Sequence, residues 1–266
     1  MSIRLGVLGA GPMGSAVIRK VVDSGALAGP EIAVHDRHAE RVLALAERLG
    51  VRAVDARELR QVEFLLVAVK PQAFPAAAAA LQECSPACVI SVMAGVQMAT
   101  IGRRLGCRRV VRALPNLGAI IGRSTTALAA SPEATPEDVA FARRLFDAVG
   151  VTFDVPEPYF DAFTAASGSS LAFVSVIADA LADGAVLAGL NRAMALDLAA
   201  RALVTTGELL LAGRHPVTIR DEVTSPAGTT AAGLLEIESS GLRGALIRAI
   251  HAATQRGRTL GQGADS

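Results

Sequence analysis

The first half of the chain alternates short, continuous apolar runs with segments of helical periodicity. Continuous apolar runs are typical of strands that are covered on both faces of a parallel sheet. The first run lies directly before the turn GAGPMG, and the other predicted strands are residues 31–36, 64–69, 88–93, 109–114, 124–130 and 151–155. Helical patterns lie between these runs, so the sequence predicts an α/β fold with a doubly wound, mostly parallel sheet.

The second half of the chain has a different pattern. Beyond about residue 155 only helical periodicity remains, and we predict an α/β domain of residues 1–155 followed by an all-helical domain of residues 156–266. The helix predicted at 191–213 is apolar around most of its circumference, which indicates burial on several sides. Because interlocked subunits can cover such helices and a lone small domain cannot, we expect a helical dimerisation domain.

The composition narrows the choice of partners. The formal charge of +1 argues against a nucleic-acid or membrane-surface partner, because neither is favoured without a basic excess. Hydrophobic residues make up 52% of the chain and aromatic residues 3%, so much apolar surface is expected between subunits or in a membrane. The longest apolar region, residues 163–190, carries Asp179 and Asp183, and charges at bilayer depth are costly. We therefore expect a chain that does not cross a membrane.

Targeting and cysteine patterns agree with a cytoplasmic protein. The N-terminus has no charged lead-in followed by an apolar block and a cleavage site. Three cysteines without a secretion signal suit reduced thiols. Cys84 and Cys88 have no second Cys or His pair at ligand spacing, so no metal site is expected.

The turn GAGPMG fits a dinucleotide-binding fingerprint. Gly9 allows the tight turn, Gly11 lets the backbone approach a pyrophosphate, and Gly14 lets the following helix pack closely on the strand. The start of that helix supplies N–H groups to the anion. A bare match of this kind is weak, but here it follows the first strand, opens a helix and is followed by Asp36 at the end of the second strand. Residues 1–155 are therefore predicted to be a dinucleotide-binding domain.

The pair Asp36-Arg37 leaves the choice of cofactor open. A carboxylate at this point binds the ribose 2′-hydroxyl of NAD and repels a 2′-phosphate, whereas an adjacent arginine receives that phosphate. The sequence carries both side chains, so we expect both NADH and NADPH to be accepted.

The helical half offers little acid–base chemistry. Lys20 and Lys70 are the only lysines in the chain, and His215 and His251 are the only histidines after residue 155. The domain therefore has few side chains that could act as the base in a reaction that requires a strong one. Hydride addition to an electrophilic, protonated carbon–nitrogen double bond needs no such base.

The stretch TSPAGTT, residues 224–230, interrupts the helical half. Pro226 and Gly228 predict a sharp turn, after which Thr229 and Thr230 restart a helix. A helix start presents free N–H groups and a positive dipole, which suit a carboxylate. An ordinary helix junction capped by Ser225 or Thr229 is the alternative, and the stretch alone leaves both open.

Seven segments, in this order, give the chain a nearly end-to-end resemblance to the pyrroline-5-carboxylate reductase family. They are GAGPMG, AVKPQ, SVMAGV, LPN, TAASGSSLAF, LADGAVLAGL and DEVTSPAGTTAAGL, of which the last is the most specific. The resemblance implies a Rossmann-type domain followed by a helical domain that interlocks with its partner in an obligate homodimer, and it leaves a higher assembly of dimers open. It also implies reduction of 1-pyrroline-5-carboxylate to L-proline, the last step of proline biosynthesis, with hydride from NADPH or NADH.

The resemblance further implies roles for individual residues. The pyrophosphate is expected to bind at Gly9, Ala10, Gly11, Pro12 and Met13. The remaining cofactor-binding positions are Asp36, Arg37, Ala68, Val69, Lys70, Pro71, Ala94, Gly95 and Asn116, the last near the nicotinamide. Ser225 and the N–H groups of Gly228, Thr229 and Thr230 are expected to hold the substrate carboxylate. The Thr230 hydroxyl, as the catalytic group, is expected to bond the ring nitrogen.

Some positions depart from the family pattern. Leu117-Gly118 stands where Thr-Pro is usual, Ala227 where glycine is usual, and Leu171 where proline is usual. These changes leave open a reductase for another cyclic imino acid. A catalytically silent dinucleotide-binding regulator is a further alternative, against which the retained hydroxyl and glycine residues of TSPAGTT count. A β-hydroxyacid dehydrogenase of similar layout is disfavoured by the missing lysine.

Overall fold

Two compact units make up the protein. The computed structural model describes residues 3–81 and 86–264. One unit comprises the chain up to Gly168 together with the residues from Ala253 onward, and the other comprises Ser169–Ala252. The domain boundary expected near residue 155 stays a prediction.

An eight-stranded sheet forms the centre of the first unit. Its strands are β1 Leu5–Leu8, β2 Ile32–His35, β3 Arg52–Ala53, β4 Phe64–Val67, β5 Cys88–Ser91, β6 Val110–Leu114, β7 Ser124–Ala130 and β8 Gly150–Asp154. The order is β3-β2-β1-β4-β5-β6-β7-β8, and all neighbours are parallel except β6 and β7, which are antiparallel. The predicted fold class, a doubly wound and mostly parallel sheet followed by a helical region, is confirmed.

The pattern of burial explains which strands the sequence reveals. Every residue of β1, β4, β5 and β6 is buried, so each of these strands is a continuous apolar run with few interruptions. All seven predicted strands are present. β3 was not predicted, because it has only two residues and both are exposed.

Helices cover both faces of the sheet. The helices of the first unit are α1 Pro12–Asp23, α2 Ala39–Leu49, α3 Phe74–Ala80, α4 Met98–Leu105, α5 Pro136–Asp147 and α6 Phe160–Thr164. Side chains of α1, α2 and α5 share one buried apolar cluster with one face of the sheet. Side chains of α3 and α4 share a second cluster with the other face. The strands of the sheet are therefore enclosed in the way that their continuous apolar runs predict.

A buried carboxylate anchors the start of α5 to the beginning of β6. Asp138 is fully buried. It accepts hydrogen bonds from Arg109 Nε at 2.8 Å and Nη2 at 2.6 Å, and from the Thr135 N–H at 2.7 Å. Burial by itself raises the pKa of Asp138, but the hydrogen bonds from Arg109 and Thr135 outweigh it and lower the pKa below its ordinary value. The carboxylate is therefore stabilised in its charged form.

Asp138→Asn is expected to destabilise the fold at neutral pH by about 1.5–3 kcal/mol, the contribution of a hydrogen bond to a charged group. A lowered pKa means that Asp138 stabilises the fold above the unfolded-state pKa, and that this contribution is lost as the pH falls through the folded-state pKa. The deficit of the variant should therefore shrink below a pH of about 4. Urea unfolding at neutral and acidic pH measures both effects. Glu238→Gln, which breaks an exposed pair with Arg243, serves as control and should cost less than about 1 kcal/mol. An equal deficit at both pH values would contradict this account of Asp138.

The described cysteines are buried and inert. Cys88 lies in β5 and Cys107 follows α4, and burial raises the pKa of both thiols above the ordinary value. Raised thiol pKa values are typical of structural cysteines that do not react. Cys84 lies outside the described residues. Among residues 3–81 and 86–264, no group of three His, Cys, Asp or Glu side chains is arranged to hold a metal ion.

The second unit consists of helices that bury little by themselves. Its helices are α7 Ser170–Leu187, α8 Arg192–Leu211, α9 Pro216–Glu222, α10 Thr229–Ser239 and the first part of α11 Leu242–Ala264, whose residues from Ala253 onward belong to the first unit. α7 and α8 pack through a small cluster of Ala182, Ala195 and Ala199. Large apolar side chains stay exposed in the single chain, among them Leu187 at 90% and Leu211 at 88%. An apolar surface of this extent fits the expectation that a partner subunit covers these helices.

A membrane span is the alternative explanation for the apolar character of this region. Within the described part of the chain, the helix Glu157–Leu187 is long and apolar enough to cross a membrane by length and composition. Its Asp179 and Asp183 both form ion pairs with Arg192 of α8. A helix that packs in a soluble core meets the same criterion, so length and composition alone do not distinguish the two cases.

Candidate active site

The predicted cofactor-binding residues meet at one edge of the sheet. They follow the carboxyl ends of five strands that run in the same direction: Gly9–Met13 after β1, Asp36 and Arg37 after β2, Ala68–Pro71 after β4, Ala94 and Gly95 after β5, and Asn116 after β6. The direction of strand order reverses between β1 and β4. Ligands of doubly wound sheets bind outside the carboxyl ends of the strands at this switch point.

The glycine turn has the geometry that a pyrophosphate requires. A Cβ at Gly9 would lie 2.7 Å from the Ala68 carbonyl oxygen, and a Cβ at Gly14 would lie 2.2 Å from the Gly9 carbonyl oxygen, so side chains are excluded at both positions. A Cβ at Gly11 would meet no protein atom within 4 Å, so the space beside it is open. Gly11 is the N-cap of α1, and no side chain caps the helix. The first N–H groups of α1 thus face an open space that fits an anion.

Asp36 supports this turn directly. Its Oδ2 accepts a hydrogen bond from the Ala10 N–H at 2.7 Å, and its Oδ1 accepts one from the His38 N–H at 2.8 Å. A carboxylate offers about four lone-pair positions, so each oxygen keeps capacity for a ribose hydroxyl. Arg37 is exposed and donates from Nε to His38 Nε2 at 3.1 Å. The carboxylate therefore lies at the turn, whereas the guanidinium extends into solvent.

Both polar atoms of the Asn116 side-chain amide form hydrogen bonds within the protein. Oδ1 accepts from the Gly118 N–H at 2.9 Å and caps the 3₁₀ turn Leu117–Ile121, and Nδ2 donates to the Ser167 carbonyl at 2.8 Å. Ser167 belongs to a π-helical turn, Ala165–Ser169, between α6 and α7. Sequence reasoning missed this turn, because the stretch TAASGSS differs from an ordinary helix only by its many small and hydroxyl residues.

The stretch 224–230 forms the predicted turn before α10. The Gly228 N–H donates to the Ser225 carbonyl at 3.0 Å, and a Cβ at Gly228 would lie 2.3 Å from Ser225 Oγ. Gly228 is the N-cap of α10 and provides no side-chain acceptor. Within the described residues, the hydroxyls of Ser225, Thr229 and Thr230 form no hydrogen bond, and nor do the first N–H groups of α10. The alternative expectation of a helix capped by Ser225 or Thr229 is therefore wrong.

Ala227 has an unusual backbone in this turn. Its φ is +58°, the only positive φ of a non-glycine residue in the described chain. For an L-residue the left-handed region costs about 1–2 kcal/mol, because Cβ approaches the following carbonyl. The turn that orders Ser225 and Gly228 is therefore strained at Ala227.

Ala227→Gly is expected to stabilise the protein by about 0.5–1 kcal/mol. Glycine removes the strain, and its greater freedom in the unfolded chain cancels part of the gain. Thermal melting measures the result, with an expected rise of about 2–4 °C. Ala232→Gly, in the exposed helical part of α10, is the matched control and should lower stability by about 1 kcal/mol. A fall in melting temperature for both variants would show that Ala227 is not strained.

A glycine turn at the switch point of a doubly wound sheet, followed by a helical region, defines the class of dinucleotide-dependent oxidoreductases. Residues 157–260 match the family described as pyrroline-5-carboxylate reductase dimerisation, and residues 4–95 match the family described as NADP oxidoreductase coenzyme F420-dependent. Relatives of that name are 47% and 41% identical over 98% of this chain, so the chain belongs to the pyrroline-5-carboxylate reductase family.

Individual relatives match along the whole length. A pyrroline-5-carboxylate reductase of Thermus thermophilus is 47% identical, over 98% of this chain and 99% of its own. A pyrroline-5-carboxylate reductase of Synechocystis is 41% identical, over 98% and 100%. The solved structure of a pyrroline-5-carboxylate reductase from Coxiella burnetii superimposes with a TM-score of 0.89 at 28% identity, over 98% and 99%. The similarity therefore extends across both units.

Proposed function

We propose that the protein reduces 1-pyrroline-5-carboxylate to L-proline with hydride from NADPH or NADH, the last step of proline biosynthesis. The observation that carries the proposal is the start of α10, where the N–H groups of Thr229 and Thr230 and the hydroxyls of Ser225 and Thr230 form no hydrogen bond within the described part of the chain. This is a carboxylate site with hydroxyls beside it, in a chain that matches reductases from end to end.

The turn before α10 binds the substrate. The N–H groups of Thr229 and Thr230 and the hydroxyl of Ser225 hold the carboxylate, and the positive end of the α10 dipole adds to the attraction. The Gly228 N–H, expected from the resemblance to be a further donor, already donates to the Ser225 carbonyl and instead fixes the turn. A side chain at Gly228 would displace Ser225 Oγ, which lies 2.3 Å from the position of a Cβ there, and would so move one of these donors. Specificity for an imino acid over a simple imine follows from these donors.

Thr230 orients the reacting bond. Its hydroxyl oxygen accepts a hydrogen bond from the protonated ring nitrogen and so favours the protonated, electrophilic form of the imine. No lysine lies beyond Lys70, which is consistent with a reaction that needs no strong base in the helical region. Thr230 is the catalytic residue of the proposal.

The carboxyl edge of the sheet fits a nicotinamide dinucleotide, and a bound reduced cofactor supplies the hydride. The glycine turn from Gly9 to Met13 holds the pyrophosphate, while Asp36 and Arg37 lie at the adenosine ribose. The loops after β4, β5 and β6 line the rest of the cofactor through Ala68, Val69, Lys70, Pro71, Ala94, Gly95 and Asn116. The open space beside Gly11 and the uncapped start of α1 support this assignment.

The active protein is proposed to be a homodimer in the cytoplasm, with a higher assembly of dimers as a further step. The apolar faces of α7 and α8, exposed in the single chain, are the surfaces that a second copy covers. Each square ångström of apolar area buried contributes roughly 25 cal/mol, so covering such helices strongly favours association.

The decisive experiment is a panel of cyclic imines assayed with NADPH and NADH in parallel. We expect turnover to be fastest with 1-pyrroline-5-carboxylate. Faster turnover of a six-membered cyclic imino acid would favour the specialised reductase that Leu117, Gly118 and Leu171 leave open. A protein that binds the cofactor but reduces no member of the panel would contradict the proposal and favour a silent regulator.

Asp36→Asn is expected to shift cofactor preference toward NADPH. Removing the carboxylate charge relieves repulsion of a 2′-phosphate, which at a partly exposed site is worth at least about 1.4 kcal/mol, or roughly tenfold in the ratio of kcat/KM values. The asparagine oxygen keeps one of the two backbone hydrogen bonds that Asp36 accepts. Glu133→Gln makes the same change of charge beyond the end of the antiparallel strand β7, at the opposite edge of the sheet, and should leave the ratio unchanged. An unchanged ratio in Asp36→Asn would show that Asp36 acts only on the glycine turn.

A further inference from the structure

We infer that Asn116 is a positioning residue: its hydrogen bond to Ser167 holds the π-helical turn Ala165–Ser169 at the nicotinamide side of the cofactor edge, and fast hydride transfer depends on that bond. The inference deepens the proposed function and rests on it. It also adds to the role expected for Asn116, a cofactor-binding position near the nicotinamide, the positioning of a neighbouring backbone segment.

Asn116 is anchored firmly to the sheet. Its backbone N–H donates to Ser124 Oγ at 3.1 Å, and Ser124 Oγ lies 3.2 Å from Thr126 Oγ1. Both hydroxyl residues belong to β7 and are buried. The Asn116 carbonyl accepts from the Ala119 N–H at 3.1 Å, and Oδ1 accepts from the Gly118 N–H. With these groups fixed, Nδ2 is held so that one of its two N–H groups donates to the Ser167 carbonyl at 2.8 Å.

The segment that Asn116 holds is not an ordinary helix. Thr164 Oγ1 donates to the Phe160 carbonyl at 2.7 Å, and Ser167 Oγ donates to the Phe163 carbonyl at 2.8 Å. Hydroxyls that bond the carbonyl four residues earlier compete with the helical backbone and bend it. The widened turn follows at Ala165–Ser169. Single π-turns inside α-helices occur frequently at functional sites, because they change the direction of backbone groups that a regular helix would pair.

The position of Asn116 assigns the side of the cofactor. In this sheet the adenosine half lies toward β2, because the acidic residue for its ribose follows that strand. The other half of the dinucleotide therefore lies toward β4, β5 and β6. Asn116 follows β6, so the bond to Ser167 ties the π-turn to the half where the nicotinamide reacts. A displacement of about 1 Å at such a position is enough to cost up to about a hundredfold in rate.

Two substitutions separate the contact to Ser167 from the cap of the 3₁₀ turn. Asn116→Ser and Asn116→Asp each keep an oxygen that accepts from the Gly118 N–H, and serine and aspartate are good caps. Neither variant donates a hydrogen bond to the Ser167 carbonyl. The serine side chain is too short to reach it, and an ionised aspartate has no proton to donate. Thr135→Ala is the matched control, since it removes a side-chain cap from α5 beyond the end of β7, at the opposite edge of the sheet.

The test measures kcat with 1-pyrroline-5-carboxylate, the Kd of NADPH and the deuterium isotope effect with 4-deuterated NADPH. We expect both Asn116 variants to lose at least about tenfold in kcat with a larger isotope effect, a Kd within about threefold of wild type, and no loss of kcat in Thr135→Ala. An unchanged kcat, a kcat loss in Thr135→Ala of the same size, or a Kd that weakens in step with kcat would each overturn the inference. Absence of turnover in the wild type would instead refute the proposed function. If Asn116→Asp does not fold, Asn116→Ser still decides the question.

Discussion

Gly11→Ala is expected to weaken NADPH binding by about a hundredfold or more while the melting temperature changes by no more than about 4 °C. Gly11 has φ −68° and ψ −178°, a conformation that alanine adopts without strain. A Cβ at this position would touch no protein atom within 4 Å. The folded protein therefore has room for the methyl group, and the group that we expect it to displace is the pyrophosphate proposed to bind at the turn.

The size of the effect follows from the hydrogen bonds that are lost. A methyl group beside Gly11 keeps the pyrophosphate away from the N–H groups at the start of α1. Hydrogen bonds to a charged group contribute about 1.5–3 kcal/mol each, so the loss of two costs about 3–6 kcal/mol. At 1.4 kcal/mol per decade, that is at least about two decades in Kd. Fluorescence titration with NADPH, alongside thermal melting, measures both quantities.

Gly14→Ala is the matched variant, because it places the same methyl group at a site without room. Its Cβ would lie 2.2 Å from the Gly9 carbonyl oxygen, so both binding and melting temperature should fall. The contrast between the two variants distinguishes a binding surface from a packing contact. Wild-type affinity in Gly11→Ala would place the pyrophosphate elsewhere and contradict the cofactor site.

Most strands of the sheet could be predicted from the sequence, because burial on both faces makes a strand a continuous apolar run. β4, for instance, is the unbroken run Phe64–Val67 and every residue in it is buried. The glycine turn could also be predicted from the sequence, because a side chain at Gly9 or Gly14 would collide with backbone atoms and only glycine fits there. β3 could not be predicted, because its two exposed residues are too few to show a periodic pattern. The sequence pattern therefore predicts those elements in which burial or steric exclusion restricts the residue type at each position.

The candidate site was less predictable where one polar group serves two purposes. The sequence places Asp36 at the end of β2, but its hydrogen bonds to Ala10 and His38 depend on the folded turn. The hydrogen bond from Asn116 Nδ2 to the Ser167 carbonyl joins residues that are distant in the chain, so no local sequence pattern predicts it. The positive φ of Ala227 could not be predicted from the sequence either, because alanine rarely adopts this conformation.

Thr230→Ala is expected to lower kcat by about tenfold to a hundredfold without unfolding the protein. The reason is that a hydrogen bond directed at a charged group contributes about 1.5–3 kcal/mol, at 1.4 kcal/mol per decade of rate. Thr230 lies in the first turn of α10, half-buried, and its hydroxyl bonds no described residue. Because that hydroxyl forms no hydrogen bond within the described residues, its removal should affect the reaction and leave the melting temperature nearly unchanged. Steady-state rates with 1-pyrroline-5-carboxylate and thermal melts of the same preparations test this.

Three further variants assign the effect to the Thr230 hydroxyl. Thr230→Ser keeps the hydroxyl and should lose much less than Thr230→Ala. Ser225→Ala removes a carboxylate donor and should act mainly by raising KM, since it weakens binding of substrate and transition state alike. Thr224→Ala removes a neighbouring hydroxyl that already donates to the Arg220 carbonyl, and it should leave kcat unchanged. If Thr230→Ala turned over like wild type, or if Ala and Ser at this position differed only in melting temperature, Thr230 would serve the helix alone and the catalytic role would be wrong.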